Sequence, residues 1–184
     1  MNKAYLFLAD GFEEIEAITV VDLLRRAGIE VVTASINKTL AVAGAHGIEV
    51  AADIIINPKE MTDADIIILP GGMPGAKNLV DCAEVVEALN LQHERGGRIA
   101  AICAAPAVVL APLGFLDGKE ATCYPGFEEG IKAGGGHARQ QRVVKDGHII
   151  TANGPSSATQ FALTIIETLK NQDAADEIAA QILL

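Results

Sequence analysis

Residues 5–35, YLFLADGFEEIEAITVVDLLRRAGIEVVTAS, contain two short apolar runs separated by one helical pattern. Tyr5–Ala9 and Glu30–Ser35 are nearly continuous in apolar or β-branched residues, which is typical of strands covered on both faces. Between them, Glu13–Ala27 carries apolar residues at helical spacing and stops before Gly28, a common residue after a helix end. This order predicts two parallel strands joined by a crossover helix, and so a fold of the α/β class.

The same alternation continues along the chain. Further strands are predicted at Ile66–Leu69 and Ile99–Ile102, and further helices at Asn78–Arg95 with a break near Cys82, Ala104–Leu113, Ser156–Lys170 and Ala174–Leu183. We therefore expect an α/β fold with a mostly parallel sheet and helices on both faces. No repeat or linker interrupts residues 1–184, which indicates a single domain.

Two stretches do not follow this alternation of strands and helices. Thr39–Ala52 has short β-like segments interrupted by glycine, which predicts a hairpin or an excursion at the sheet edge. Ala121–Ile150 is also rich in glycine, and we expect it to hold a loop, a short helix and a hairpin. The hairpin would pair Arg142–Val144 with His148–Thr151 and turn at Asp146-Gly147.

The composition excludes several classes of protein. Half of the 184 residues are hydrophobic, which argues against a disordered acidic chain. The net charge of −10 argues against nucleic acid as a partner, because phosphates are neutralised by clustered Lys and Arg. No apolar run approaches the roughly 20 residues that span a bilayer. Three widely spaced Cys do not suggest a disulfide framework, so we expect a cytoplasmic protein with reduced thiols.

Cys103 is the sharpest chemical signal in the chain. It follows the strand Ile99–Ile102 directly and precedes a helix-forming run, so it would lie in a tight strand-to-helix turn like the nucleophile elbow of hydrolases. Backbone N–H groups and the positive end of a helix there would favour the thiolate. The alternative is a small buried hydrophobic side chain, which is the usual role of a free cysteine. The position favours the reactive thiolate.

Glu16 is the second signal, because it shares a helix face with apolar residues such as Val20 and Leu24. Burial there would raise the pKa of the carboxyl group, and a protonated carboxyl group could donate a hydrogen bond or move a proton. The alternative is that Glu16 belongs, with Glu13 and Glu14, to the first-turn acids that complement the helix dipole. The spacing alone leaves both interpretations open.

Gly71-Gly72 follows the predicted strand Ile66–Leu69 and is the third signal. Glycine lets the backbone approach a reacting centre, where its N–H groups could form an oxyanion hole, although a tight turn requires glycine as well. The chain has no phosphate-binding loop and no GxGxxG before a helix, so no nucleotide cofactor is expected. No metal is expected either, because the Cys and His residues lack ligand spacing.

Taken together, these motifs resemble the ThiJ/PfpI superfamily, and most closely its branch of the parkinsonism-associated deglycase and YajL. The matching stretches are GFEEIE at 11–16, VDLLRRAG at 21–28, ILPGG at 68–72, GAKNL at 75–79, AAICAAP at 100–106, VVKDG at 143–147 and Gly154-Pro155. They extend over nearly the whole chain. Their combination is specific, whereas each stretch alone is not.

The resemblance implies a flavodoxin-like three-layer sandwich and a homodimer. It implies that Cys103 is the elbow nucleophile, that Glu16 is hydrogen-bonded to its sulfur, and that Gly72 and Ala104 supply oxyanion N–H groups beside Gly71. Members of the superfamily are linked to glutathione-independent conversion of methylglyoxal to lactate, to repair of glycation adducts, to peroxide sensing and to chaperone-like activity. The substrate would be a small aldehyde or a glycated molecule.

Three positions depart from the superfamily pattern. Protease-like members place His directly after the Cys, whereas Ala104 stands there in this chain. In the deglycase branch a His often stands at the pocket position of Tyr124, and an Arg at the position of His46. These differences affect the expected substrate and rate, and they leave the Cys103–Glu16 pair intact.

The sequence thus supports three hypotheses about the function of the protein. The first is an enzyme in which Cys103 attacks a 2-oxoaldehyde and Glu16 moves a proton. The second is a redox-sensing or chaperone-like protein whose Cys103 oxidises to sulfinic acid. The third is a structural α/β domain with a buried Cys. A cysteine peptidase and a role in thiamine thiazole phosphate synthesis rank below these.

Overall fold

A computed structural model describes residues 2–184 of the chain. The fold is built on one main sheet of seven strands. Its strands, numbered with all strands of the chain in sequence order, are β1 (Lys3–Leu8), β2 (Glu30–Ser35), β5 (Ile54–Ile55), β6 (Ile66–Leu69), β7 (Arg98–Ile102), β10 (Val143–Asp146) and β11 (Ile149–Ala152). The strand order is β10-β11-β7-β6-β1-β2-β5, and every neighbouring pair is parallel except β10 with β11.

Among residues 2–184, four short strands lie outside the main sheet, and there are six α-helices. The short strands are β3 (Ala41–Ala43), β4 (Glu49–Ala51), β8 (Glu120–Ala121) and β9 (His137–Ala138). The helices are α1 (Glu14–Arg26), α2 (Gly75–Asp81), α3 (Ala83–Glu94), α4 (Glu128–Ala133), α5 (Ala158–Leu169) and α6 (Gln172–Gln181). No helix within residues 2–184 is long and apolar enough to cross a membrane.

The core lies in two layers because successive strand residues point to opposite faces of the sheet. On β1, Leu6 and Leu8 face one cluster of buried residues, which includes side chains of α1, α5 and α6. Tyr5 and Phe7 face the other cluster, which includes side chains of α2, α3 and α4. Helices therefore cover both faces, and the expected three-layer α/β sandwich is confirmed.

Most predicted elements are found within a few residues of their expected bounds. The strands Glu30–Ser35 and Ile66–Leu69 agree fully, and the long helical pattern does break at Cys82, between α2 and α3. The hairpin within Thr39–Ala52 is β3 paired antiparallel with β4, and the later hairpin is β10 with β11.

The helix expected over Ala104–Leu113 is present, but it is shorter and is not an α-helix. A π-helix occupies Pro106–Leu110 instead, and the N–H of Ala111 donates to the carbonyl of Pro106 at 3.0 Å, five residues earlier. Helix α4 packs closely against this segment: a Cβ at Gly130 of α4 would lie 3.0 Å from the Cβ of Ala107. The wider helical turn thus accompanies tertiary packing that the local sequence does not reveal.

Candidate active site

Cys103 lies directly after β7, at the carboxyl end of the central strands, where ligands bind in open α/β sheets. Its φ of 65° is in the left-handed region, which is uncommon for a residue other than glycine. The neighbouring backbone holds this conformation: the N–H of Cys103 donates to Ala152 at 2.9 Å, and its carbonyl accepts from Tyr124 at 2.8 Å. The strained geometry is that of a nucleophile elbow.

Glu16 lies in the first turn of α1, and it is fully buried at 0% exposure. Its Oε2 accepts the N–H of Gly71 at 2.8 Å, whereas its Oε1 is buried without a hydrogen-bond partner among residues 2–184. The cap of the helix is Glu13, whose side chain accepts the N–H of Glu16 at 2.8 Å. Glu13 therefore serves the helix terminus, and the Glu16 carboxyl group is directed to the site.

Gly71 and Gly72 allow the β6–α2 loop to pack against the side chains of Cys103 and Glu16. A Cβ at Gly71 would lie 2.6 Å from the Cβ of Cys103 and 2.7 Å from Oε2 of Glu16, so no other residue fits there without displacing the pair. Gly72 has a φ of 85° and is also closely packed, against the backbone of Gly11–Glu13. The backbone N–H groups of Gly72 and Ala104 act on the Cys103 sulfur and lower the pKa of its thiol.

The two ionisable groups share one desolvated pocket. Burial raises the pKa of Glu16 to about 7, against the hydrogen bonds from Cys103 and Gly71 that lower it. Burial also raises the pKa of the Cys103 thiol, and the Glu16 carboxylate raises it further. Two negative charges in this pocket would repel each other strongly, so we do not expect the Glu16 carboxylate and the Cys103 thiolate to exist together.

The expectation of a readily ionised thiol at Cys103 is therefore corrected. The residue is only 9% exposed, and burial outweighs the N–H groups of Gly72 and Ala104, which lower the thiol pKa. A thiolate becomes favourable when Glu16 takes up the proton, because this removes the repulsive charge and creates a hydrogen-bond donor. Sequence position indicates the N–H groups but not the degree of burial.

Two of the three positions that depart from the superfamily pattern, Tyr124 and His46, lie in different environments. The ring of Tyr124 packs over Gly154, where a Cβ would lie 3.1 Å from the ring, and its backbone N–H holds the Cys103 carbonyl. His46 lies in the β3–β4 turn, and its Nδ1 is 2.7 Å from Oε2 of Glu14. The structure thus links Tyr124 directly to the elbow and links His46 to Glu14.

The fold and the site together define an α/β protein of the flavodoxin-like type with a cysteine elbow and a buried carboxyl partner. Comparison with known proteins gives the family: the DJ-1/PfpI family profile matches residues 2–168. The chain belongs to the DJ-1/PfpI family.

Relatives support this membership over the whole chain. Protein dj-1beta of Drosophila melanogaster is 38% identical, with 100% of this chain and 97% of that protein covered. The glutathione-independent glyoxalase DJR-1.2 of Caenorhabditis elegans is 36% identical over 90% of this chain and 87% of that protein. Protein DJ-1 homolog A of Arabidopsis thaliana is 39% identical over 96% of this chain, and the match spans only 45% of that longer protein.

Solved structures of DJ-1 proteins are similar to this chain in fold and in sequence. The oxidized DJ-1 of Toxoplasma gondii superimposes with a TM-score of 0.93 at 43% identity and covers 100% of this chain and 98% of that one. Drosophila melanogaster DJ-1beta gives a TM-score of 0.92 at 36% identity, with 100% and 98% of the two chains covered. The flavodoxin-like α/β fold expected from the sequence is confirmed by these similarities.

Proposed function

We propose that this protein is a glutathione-independent glyoxalase, or a deglycase of the same chemistry, which converts 2-oxoaldehydes such as methylglyoxal to 2-hydroxy acids such as lactate. The observation that carries the proposal is geometric: Gly71 packs against both the strained elbow residue Cys103 and the fully buried carboxyl group of Glu16. A relative that is named a glutathione-independent glyoxalase, at 36% identity, adds support.

The reaction begins when the Cys103 proton passes to Glu16 and the sulfur attacks the aldehyde carbon. A hemithioacetal forms, and the N–H groups of Gly72 and Ala104 stabilise the oxygen as negative charge develops on it. Glu16 returns its proton to that oxygen.

The second half of the reaction is an internal redox step. Glu16 removes the proton from the former aldehyde carbon, an enediol forms, and reprotonation at the neighbouring carbon gives a thioester of the 2-hydroxy acid. Water then cleaves the thioester and frees the Cys103 thiol. The sum is methylglyoxal plus water to lactate, so no external oxidant or cofactor enters the balance.

The environment of the sulfur favours small substrates. Cys103 is 9% exposed and lies beneath the Gly71–Gly72 loop, so the reacting carbonyl must reach a recessed atom. A small 2-oxoaldehyde meets this requirement directly. Of a larger glycated molecule, only the sugar-derived adduct would reach the sulfur.

The proposal is tested by incubating the purified chain with methylglyoxal in the absence of glutathione and measuring lactate enzymatically. We expect lactate to form in proportion to enzyme concentration. The control is the same chain alkylated beforehand with iodoacetamide. If lactate formation is no faster than in buffer, the enzymatic proposal is wrong.

A second candidate, redox sensing, uses the same sulfur. The Glu16 carboxyl group and the two backbone N–H groups that surround Cys103 would also hold the oxygens of a sulfinic acid. We expect the intact mass after treatment with mild peroxide to increase by the mass of two oxygen atoms. Peptide mapping should place both oxygens on the peptide that contains Cys103, before Cys82 or Cys123 reacts. Oxidation that begins at those two cysteines would rule out the sensor role.

We also propose that the protein is a homodimer through the exposed apolar face of α1. Ile15 and Ile18 on α1 and Ile48 in the neighbouring turn are 55%, 43% and 57% exposed, and they line one continuous surface groove with Val50. Apolar patches of this kind mark interaction surfaces. Because the patch belongs to the helix that carries Glu16, a dimer would fix the position of that helix.

The Ile18→Glu variant tests this dimer, since it places a charge in the middle of the patch. We expect wild type to have the mass of two chains by light scattering after size exclusion, and Ile18→Glu to have the mass of one. The matched control is Leu91→Glu, because Leu91 on α3 is also 43% exposed and lies outside the patch. A monomeric wild type, or a monomeric Leu91→Glu variant, would contradict the proposed interface.

A further inference from the structure

Thr151 is the one polar residue of strand β11, and its side chain is fully buried in the sheet. Its hydroxyl oxygen accepts the backbone N–H of Thr122 at 2.9 Å. Thr122 is also buried, and it lies 29 residues earlier in the chain, so no local motif links the two. A buried hydroxyl group without a hydrogen-bond partner is unfavourable, so such groups usually hold another segment in place. Here the segment that is held contains Thr122.

This segment is the one that contacts the elbow. Tyr124 follows two residues after Thr122, and its backbone N–H donates to the carbonyl of Cys103 at 2.8 Å. From the other side, the N–H of Cys103 donates to the carbonyl of Ala152 at 2.9 Å. Thr151 and Ala152 are neighbours on β11, which pairs in parallel with β7. One strand therefore restrains both backbone groups of Cys103, one directly and one through the Thr122 segment.

The elbow requires such a restraint. The φ of 65° at Cys103 is unfavourable for a residue with a side chain, and it persists only where the surrounding structure holds it. The carbonyl of Cys103 and the N–H of Ala104 belong to one planar peptide unit. The contact that holds this carbonyl therefore also sets the direction of the Ala104 N–H, which acts on the Cys103 sulfur.

We propose that Thr151 is a positioning residue for the elbow. Its hydroxyl group fixes the segment from Thr122 to Tyr124, and through the Cys103 carbonyl it directs the Ala104 N–H at the reacting centre. For turnover, this inference rests on the proposed function, in which the same N–H stabilises an oxyanion. Its effect on the reactivity of the sulfur is independent of any substrate, so the two can be measured separately.

The Thr151→Val variant tests the inference, because it removes the hydroxyl group and keeps the shape of the side chain. The buried N–H of Thr122 then loses its acceptor, which forces the segment to shift. The Ala104 N–H lowers the pKa of the Cys103 thiol, so a misdirected N–H should raise that pKa. We expect iodoacetamide to modify Cys103 at least about threefold more slowly at pH 7, with the pH profile of alkylation moved upward.

Turnover gives the second readout. The kcat for lactate from methylglyoxal should fall at least about tenfold in Thr151→Val, with a smaller change in KM, since full loss of an oxyanion-hole donor costs about 10²–10³-fold. A purely structural role for Thr151 would lower the melting temperature without moving the pH profile of alkylation. If wild type forms no lactate, the proposed function fails, and the alkylation profiles still decide the role of Thr151.

The matched control is Thr33→Val. Thr33 is also buried in the sheet, and its hydroxyl oxygen accepts the N–H of Asp53 at 2.9 Å, but β6 and β1 separate its strand from β7. We expect Thr33→Val to keep the wild-type alkylation rate. Thr151→Ser and Thr151→Ala form a second pair, which differs only by the hydroxyl group and covers the case in which valine impairs folding. The serine variant should stay close to wild type, and the alanine variant should be slower.

Two outcomes would overturn the inference. One is a folded Thr151→Val protein, checked by circular dichroism, that is alkylated at Cys103 within twofold of Thr33→Val over the whole pH profile. The other is an equal loss of Cys103 reactivity in Thr151→Ser and Thr151→Ala. The methyl group, and not the hydroxyl group, would then hold the elbow.

Discussion

The Cys103→Ser variant is expected to form lactate from methylglyoxal at least about 10³-fold more slowly than wild type. Serine keeps the size of the side chain and can keep the contacts with the N–H groups of Gly72 and Ala104. Its hydroxyl group, however, ionises far less readily than a thiol and cannot pass its proton to Glu16 at neutral pH. The initial rate of lactate formation, measured with substrate in excess, gives this comparison directly.

The matched control for this prediction is Cys123→Ser. Cys123 is also buried, at 5% exposure, and burial together with the Glu128 carboxylate raises its pKa to about 11, but its backbone lacks the left-handed conformation of Cys103. We expect this variant to retain the wild-type rate within a few-fold. Substantial lactate from Cys103→Ser, or its loss in the folded Cys123→Ser variant, would place the nucleophile elsewhere.

Local sequence patterns were sufficient to predict the elbow and every strand of the main sheet except the edge strand β5. Strands such as Glu30–Ser35 are buried on both faces, so their composition alone identifies them, and Gly28 indicates the preceding helix end. Cys103 was identifiable because its position after a buried strand places it at the functional edge of a parallel sheet. Such features depend on neighbours in the chain, which is why sequence reasoning can reach them.

The features that were missed depend on contacts between distant segments. The sequence did not decide whether Glu16 complements the helix dipole or belongs to the site. The structure decides it, because Gly71, 55 residues away, donates its N–H to the Glu16 carboxyl group. The ionisation of Cys103 depends on burial under the same loop, which spacing does not encode. Likewise, the π-helix at Pro106–Leu110 accompanies packing by α4, and the contact of His46 with Glu14 requires the β3–β4 turn to meet α1.

Glu16→Gln is expected to lower the rate of lactate formation by about 10²–10⁴-fold, the usual contribution of a positioned acid or base. Glutamine has nearly the same shape, and its side-chain oxygen can still accept the N–H of Gly71. It cannot take the Cys103 proton or carry a proton between the two substrate carbons. The measured quantity is kcat with methylglyoxal, with circular dichroism as the check on folding.

Alkylation of Cys103 separates this role from a purely structural one. The Glu16 carboxylate raises the pKa of the Cys103 thiol, so its removal should lower that pKa. Iodoacetamide should then modify the Glu16→Gln protein at least as fast as wild type at pH 7, although turnover is lost. A variant in which alkylation and turnover fall together would indicate that Glu16 only supports the elbow. Full turnover in Glu16→Gln would remove Glu16 from the mechanism, because no proton would then need to pass through its carboxyl group.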